Sequence, residues 1–163
     1  MDDFRFSTID SDVGKIFVIS NENGVSNVFF SRKEYREYLK SLGVKDIKEG
    51  GAAESFAREL RQYLRGKRSG FKSTLDLSSG TRFQQAVWKK LLEVPYGEVV
   101  TYKELACAVG SPKAARAVGN AVGKNPLPIV VPCHRVLAAN GLGGYSCGIE
   151  IKKNLLRLEG VIS

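Results

Sequence analysis

The sequence predicts an α/β protein built from two domains, residues 1–79 and 80–163. Three observations carry this. Two short segments rich in β-branched and aromatic residues, 15–20 and 25–30, flank Asn23-Gly24, the signature of a β-hairpin. Two stretches with helical spacing follow. Beyond a basic, Ser/Gly-containing stretch the chain turns to short helices studded with small residues.

After the hairpin, Ser31 reads as the N-cap of a helix to about residue 42, with Glu34 completing a capping box and Gly43 ending it. A second helix covers about 52–65, with Phe56, Leu60 and Tyr63 or Leu64 on one face and Gly66 as its stop. Residues 66–80 read as a linker. In the second half Phe83, Val87, Leu91 and Leu92 give helical spacing that Pro95-Tyr96-Gly97 breaks. Thr101 caps a short helix, 102–109, closed by Gly110. Ser111-Pro112 opens a third, to about 122, with Ser111 as N-cap and Pro112 at the first position. Such a pair has the outline of a helix-turn-helix, which any antiparallel helix pair also gives. Ile129-Val130-Val131 reads as a short apolar strand between prolines, and 149–158 as a last helix.

With 163 residues, 43% hydrophobic and 26% charged, the chain reads as a soluble globular protein with a real core. No apolar run approaches the roughly 18 residues that span a bilayer. The opening, Met1-Asp2-Asp3-Phe4-Arg5, carries acids where a secretory signal carries bases, so a cytoplasmic chain is expected. The net charge of +8 is uneven: residues 80–163 hold 11 Lys+Arg against 5 Asp+Glu, and residues 1–79 hold 14 against 12. A basic half fits a polyanionic partner, nucleic acid first, and equally a merely solvated basic face. Three cysteines without a CxxC pair (Cys107, Cys133, Cys147) and a single histidine, His134, favour neither a disulfide framework nor a zinc site. No metal is expected.

Arg116 is the long cation set among the Ala and Gly residues of this helix, which fits close approach to a nucleic-acid groove or tight packing against another helix. The densest chemistry lies in residues 125–136, where Cys133 stands next to His134. A thiol attacks only as thiolate, and an imidazole relayed to a carboxylate can take its proton. Few acids remain to serve: after Glu104 only Glu150 and Glu159. The alternative is a buried structural cysteine beside a satisfied histidine.

Pro132-Cys133-His134-Arg135-Val136 resembles the active-site signature of the O6-alkylguanine-DNA alkyltransferases (methylated-DNA–protein-cysteine methyltransferases). Residues 83–88, Tyr96-Gly97-Glu98-Val99, Thr101-Tyr102, residues 114–119, Asn125-Pro126 and Gly144-Tyr145-Ser146 look like further blocks of that family, in family order. The resemblance is strong over 80–163 and only architectural over 1–79. It implies a small ribonuclease-H-like α/β domain followed by a winged helix-turn-helix domain that carries the site. It also implies repair of O6-alkylguanine, and of O4-alkylthymine, by irreversible single-turnover transfer of the alkyl group to Cys133 after the nucleotide is flipped from the duplex.

Residue by residue, the resemblance makes Cys133 the acceptor, activated through His134, a water and Glu159. Asn125 braces the turn, and Tyr102 protonates the departing guanine and crowds the phosphate. Pro128, Val136, Tyr145 and Ser146 belong to the substrate pocket, together with Lys152, which supports that loop. Arg116 fills the gap in the base stack, the third helix entering the minor groove, with Lys103, Ser111, Ala114, Ala115 and Gly119 at the DNA. No cofactor or metal, a double-stranded DNA partner, no membrane and a monomer are expected. The place is the cytoplasm, at the nucleoid, or the nucleus in a eukaryotic host.

Two departures matter. Some members bind zinc in the N-terminal domain, but residues 1–79 hold neither Cys nor His. Cys147 stands where glycine or another residue is expected, either as an inert thiol or as a partner for Cys133. Two other readings stay open: a sensor that binds alkylated DNA without transfer, and an unrelated thiol hydrolase or redox enzyme. The acceptor cysteine argues against the first, and the lack of oxyanion-hole or CxxC features against the second.

Overall fold

The computed structural model describes residues 3–163; Met1 and Asp2, part of the acidic opening, lie outside the described residues. The chain forms two compact units, one ending at Asp76 and the other beginning at Leu77.

The first unit is a four-stranded sheet with two helices. Strands β1 (Arg5–Ser11), β2 (Gly14–Asn21), β3 (Gly24–Phe29) and β4 (Lys48–Glu49) lie in the order β3-β2-β1-β4, and only β1 and β4 pair in parallel. The uninterrupted apolar run at 16–19 on β2 is explained by burial of both strand faces. Phe17 and Ile19 meet Tyr35 and Leu39 of helix α1 (Arg32–Ser41). Helix α2 (Gly51–Leu64) packs on β1 and β2 and buries Phe56, Leu60 and Tyr63. Ser31 caps α1, its hydroxyl accepting from the Glu34 N–H at 3.1 Å.

Two sequence expectations change here. The hairpin turn is Glu22-Asn23, with Gly24 already paired to Asn21, so the positive φ falls on Gly24 alone. Gly24 is required for a second reason: a Cβ there would sit 2.5 Å from the Thr74 carbonyl oxygen. That approach shows that residues 66–76 are no linker. Val25 donates to Thr74 O and Asp76 N–H to Val25 O, while Phe71 stacks on Phe56 and leans on Tyr63. The buried Glu59 carboxylate holds this strap, accepting from Lys72 N–H, Ser73 N–H, the Ser73 hydroxyl and Arg68. Polar composition suggested a spacer; one buried acid makes it part of the fold. Strands β1 and β4 were not foreseen, because β1 alternates weakly and β4 is only two residues long.

The second unit contains α3 (Arg82–Leu91), β5 (Val100–Thr101), α4 (Tyr102–Ala108), α5 (Ala115–Gly123), a 3-10 turn (Cys133–Arg135), β6 (Val136–Leu137) and α6 (Ile149–Leu158). Thr81 and Gln84 cap α3 reciprocally, and Thr101 caps α4. Helices α3 and α4 pack on α5, where the Trp88 indole donates to Ala121 O at 2.8 Å. Strands β5 and β6 pair in parallel, so Thr101, the N-cap of α4, lies opposite Leu137, which follows the 3-10 turn. Among the described residues no helix is long and apolar enough to cross a membrane.

Two expectations are corrected in this unit. Helix α5 begins at Ala115, not after Ser111: Ala114 N–H bonds Ser111 O at 2.9 Å, closing a turn with Pro112 at its second position. Residues 129–131 form no strand. They make a tight turn in which Val131 N–H returns to Leu127 O at 3.0 Å and Ile129 adopts φ 80°. The prolines on both sides deny the segment ladder donors, and Asn125 supplies the bonds that fold it back.

Candidate active site

Asn125 sits just beyond α5 and braces the turn from both sides. Its Nδ2 donates to Val131 O at 2.8 Å, and its Oδ1 accepts from Leu127 N–H at 2.9 Å. The turn delivers Pro132 and then the 3-10 turn on which Cys133 and His134 are both buried. A β-branched residue at positive φ is strained by about 1–3 kcal/mol. Here Ile129 bears that strain inside the support of the thiol.

His134 is fully buried, and its Nε2 lies 2.8 Å from Glu159 Oε2. Its Nδ1 is buried with no hydrogen-bond partner among the described residues. Glu159 caps the C-terminus of α6, and its carboxylate also takes Arg135 in a bidentate grip, Nε to Oε1 and Nη2 to Oε2, each at 2.8 Å. The Gly97 N–H adds a fourth donor at 3.2 Å.

Burial pushes the Cys133 thiol above its ordinary pKa, against the pull of Asn125, Tyr145, the local backbone and Lys152. Burial likewise lowers the pKa of His134, Arg135 and Lys152 adding to the effect and Glu159 opposing it. At neutral pH the pair is therefore a neutral thiol beside a neutral imidazole, an acid and a base awaiting a substrate. Tyr102 keeps its proton through burial and the nearby sulfur.

A cavity of about 210 Å³ opens over the sulfur, lined by Tyr102, Gly119, Val122, Gly123, Cys133, Gly144, Tyr145 and Ser146. The fold thus gathers one α4 residue, the C-terminal half of α5, the thiol and the 144–146 loop. Of the expected pocket residues, Tyr145 and Ser146 line it. Pro128 and Val136 do not: Pro128 lies in the turn, and Val136 pairs with Val100 in the β5–β6 ladder; Lys152, expected to support the loop, is buried behind it. Lys152 Nζ donates to the carbonyls of Val136, Leu142 and Gly144 at 2.6–2.9 Å, tying that loop down.

Arg116 and Lys103 are exposed, while Ser111, Ala114, Ala115 and Gly119 are half-buried along α5 and the turn before it. Cys107 is exposed on α4, and Cys147 is half-buried just after the cavity loop. Among the described residues no group of three or more His, Cys, Asp or Glu could hold a metal ion. The sequence alone assigns Arg135 no role. The available signal was an arginine inside an apolar run with only two acids downstream to neutralise it.

A helix pair packed beside a buried Cys–His–Glu constellation beneath an open cavity defines a class of thiol proteins whose nucleophile is reached through a pocket. Sequence comparison narrows the class. The "6-O-methylguanine DNA methyltransferase, DNA binding domain" profile matches residues 82–161, and the "6-O-methylguanine DNA methyltransferase, ribonuclease-like domain" profile matches residues 4–77. The chain belongs to the 6-O-methylguanine DNA methyltransferase family.

Among its relatives, a methylated-DNA–protein-cysteine methyltransferase of Methanosarcina barkeri is 41% identical over 155 residues, covering 94% of this chain and 96% of its own. The constitutive enzyme of Bacillus subtilis is 38% identical over 156 residues, 94% of each chain. The crystal structure of Mycobacterium tuberculosis OGT in complex with DNA superposes with a TM-score of 0.82 at 41% identity, covering 96% of this chain and 91% of that one.

Proposed function

We propose that this protein repairs O6-alkylguanine in duplex DNA by moving the alkyl group onto Cys133, once per molecule. The observation that carries the reading is the buried Cys133–His134–Glu159 constellation beneath a cavity whose other wall is α5 of the helix pair.

The residues support a balanced sequence of steps. The damaged nucleotide leaves the stack at a cost of a few kcal/mol, and its base enters the cavity. Arg116, exposed on α5, fills the gap left behind, and the small residues Ala114, Ala115 and Gly119 let the helix approach the minor groove closely. Lys103 and Ser111 lie at the phosphates. As the base docks, the Cys133 proton passes through one water to His134 Nδ1, and Glu159 steadies the imidazolium from Nε2. The sulfur attacks the alkyl carbon in line, the carbon–O6 bond breaks, and its electron pair stays on the guanine. Tyr102 donates the proton the departing ring needs, with Ser146 hydrogen-bonding at O6. The thioether cannot be reversed by these groups, so the stoichiometry is one alkyl per chain, and a monomer suffices.

The test is intact mass after incubation with excess O6-methylguanine duplex, followed by peptide mapping. One added methyl group, confined to Cys133, is expected, and Cys133→Ala should bind DNA without gaining mass. No mass change in the wild type with DNA still bound would replace the transferase reading by a sensor of alkylated DNA; transfer retained by Cys133→Ala would overturn the acceptor.

A further inference from the structure

Resting on the transfer reading above, we propose that Arg135 is a positioning residue: it shares the Glu159 carboxylate with His134 and so holds the imidazole with Nε2–H on Glu159 and a bare Nδ1 on the side of the base. The geometry is that of a jig. The guanidinium meets both carboxylate oxygens at 2.8 Å, its third arm donates to Val94 O at 2.7 Å, and its plane lies over the Tyr96 ring, 5.8 Å from the centroid. Tyr96 in turn donates to Leu158 O at 3.1 Å, one residue before Glu159. One side chain therefore fastens the segment after α3 to the cap of α6 and fixes the carboxylate against rotation.

The charge balance is the second strand of the inference. A carboxylate at 2.8 Å from a buried imidazole raises its proton affinity and so works against the burial that keeps His134 neutral. With Arg135 on the same carboxylate the pair is neutral, and His134 keeps its basic lone pair. The charged and titratable groups that bear on His134 are Glu159 at the cap of α6, Lys152 on α6 and Arg135 beside it. Cys133 precedes it in the 3-10 turn, and Tyr96 packs on the far side of the Arg135–Glu159 pair. Lys152 is occupied by three carbonyls, so Arg135 is the cation that directly offsets Glu159.

The experiment compares Arg135→Lys and Arg135→Gln with the wild type by two rates across pH: single-turnover methyl transfer from duplex, and alkylation of Cys133 by iodoacetamide. Because His134 is the only histidine, nitrogen-15 histidine spectra of untagged protein report its tautomer and protonation directly. A positioned general base is worth about 10²–10⁴-fold, so Arg135→Gln, which leaves the base misplaced, should transfer at least about tenfold more slowly at neutral pH. Its acid limb should move up by about one pH unit, since Glu159 then favours the imidazolium. Arg135→Lys keeps the charge but loses the fork; it should hold the acid limb in place and still slow transfer several-fold. A folded Arg135→Gln with the wild-type rate, acid limb and histidine spectrum would overturn the proposal. If that variant does not fold, a folded Arg135→Lys with the wild-type rate overturns it alone. A wild type that transfers no methyl from duplex would sink the repair reading, while the iodoacetamide profile and the histidine spectra would still decide the role of Arg135.

Discussion

Asn125 Nδ2 donates to the Val131 carbonyl at 2.8 Å while its Oδ1 accepts from Leu127, so one side chain closes the turn that carries Cys133. The amide also bonds towards the thiol and lowers its proton affinity. Asn125→Ala should therefore cost about 1–3 kcal/mol of stability from the unpaired backbone groups. It should also slow methyl transfer more than tenfold, because strained Ile129 loses the bonds that hold it. Urea denaturation and single-turnover rates on duplex measure the two effects; an unchanged rate would remove the turn from the catalytic machinery.

Arg116→Ala should slow repair of duplex DNA far more than reaction with free O6-benzylguanine, since only the duplex has a stack to open. Equal losses on both substrates would argue against a role in flipping. Lys103→Ala, by contrast, should reduce the slope of log affinity against log salt by about one phosphate's worth and leave the preference for the lesion intact. Filter binding at several salt concentrations reads that slope.

Glu59 ties the strap at 66–76 to the first unit, and its pKa sets a pH dependence. Burial works against its charge, but the Ser73 hydroxyl, the Lys72 and Ser73 N–H groups and Arg68 outweigh it and hold the carboxyl below its ordinary value of 4.5. A carboxyl with a lowered folded pKa stabilises the fold above its unfolded pKa, and that contribution fades as pH falls through the folded value. Glu59→Gln should thus cost about 2 kcal/mol at neutral pH, and the gap from wild type should narrow as pH drops below about 4.5. Chemical denaturation at several pH values checks the narrowing; a constant gap would mean the carboxylate is not the group that titrates.

Lys152→Met should loosen the cavity loop. Removing Nζ leaves the carbonyls of Val136, Leu142 and Gly144 without their donor in a buried site, a loss of about 3 kcal/mol. Amide exchange in residues 142–146 should rise more than exchange in α3. Uniform acceleration across the second unit would assign Lys152 to global stability instead.

Much of this site was legible because its chemistry is local in sequence. Cys133 and His134 are adjacent, Thr101 announces the start of α4, and Gly43 and Gly66 mark helix ends by residue type alone. Apolar spacing predicts α2 to within a residue and the buried face of α3, though α3 ends at Leu91, ahead of the Pro95 break. Ordered motif blocks brought Tyr102, Arg116, Asn125 and Tyr145 into view by resemblance.

What the tertiary structure alone decided depends on partners distant along the chain. Glu159 stands 24 residues from Arg135, and no local rule distinguishes a shared carboxylate from a solvated one. The β-branched run at 129–131 has the composition of a strand but folds as a turn, because Asn125 and two prolines override propensity. The strap at 66–76 has the composition of a linker, yet Glu59 collects its donors from across the fold. Residue types therefore determined which chemistry the chain carries; long-range burial, which forces each polar group to find a partner, decided where that chemistry is held.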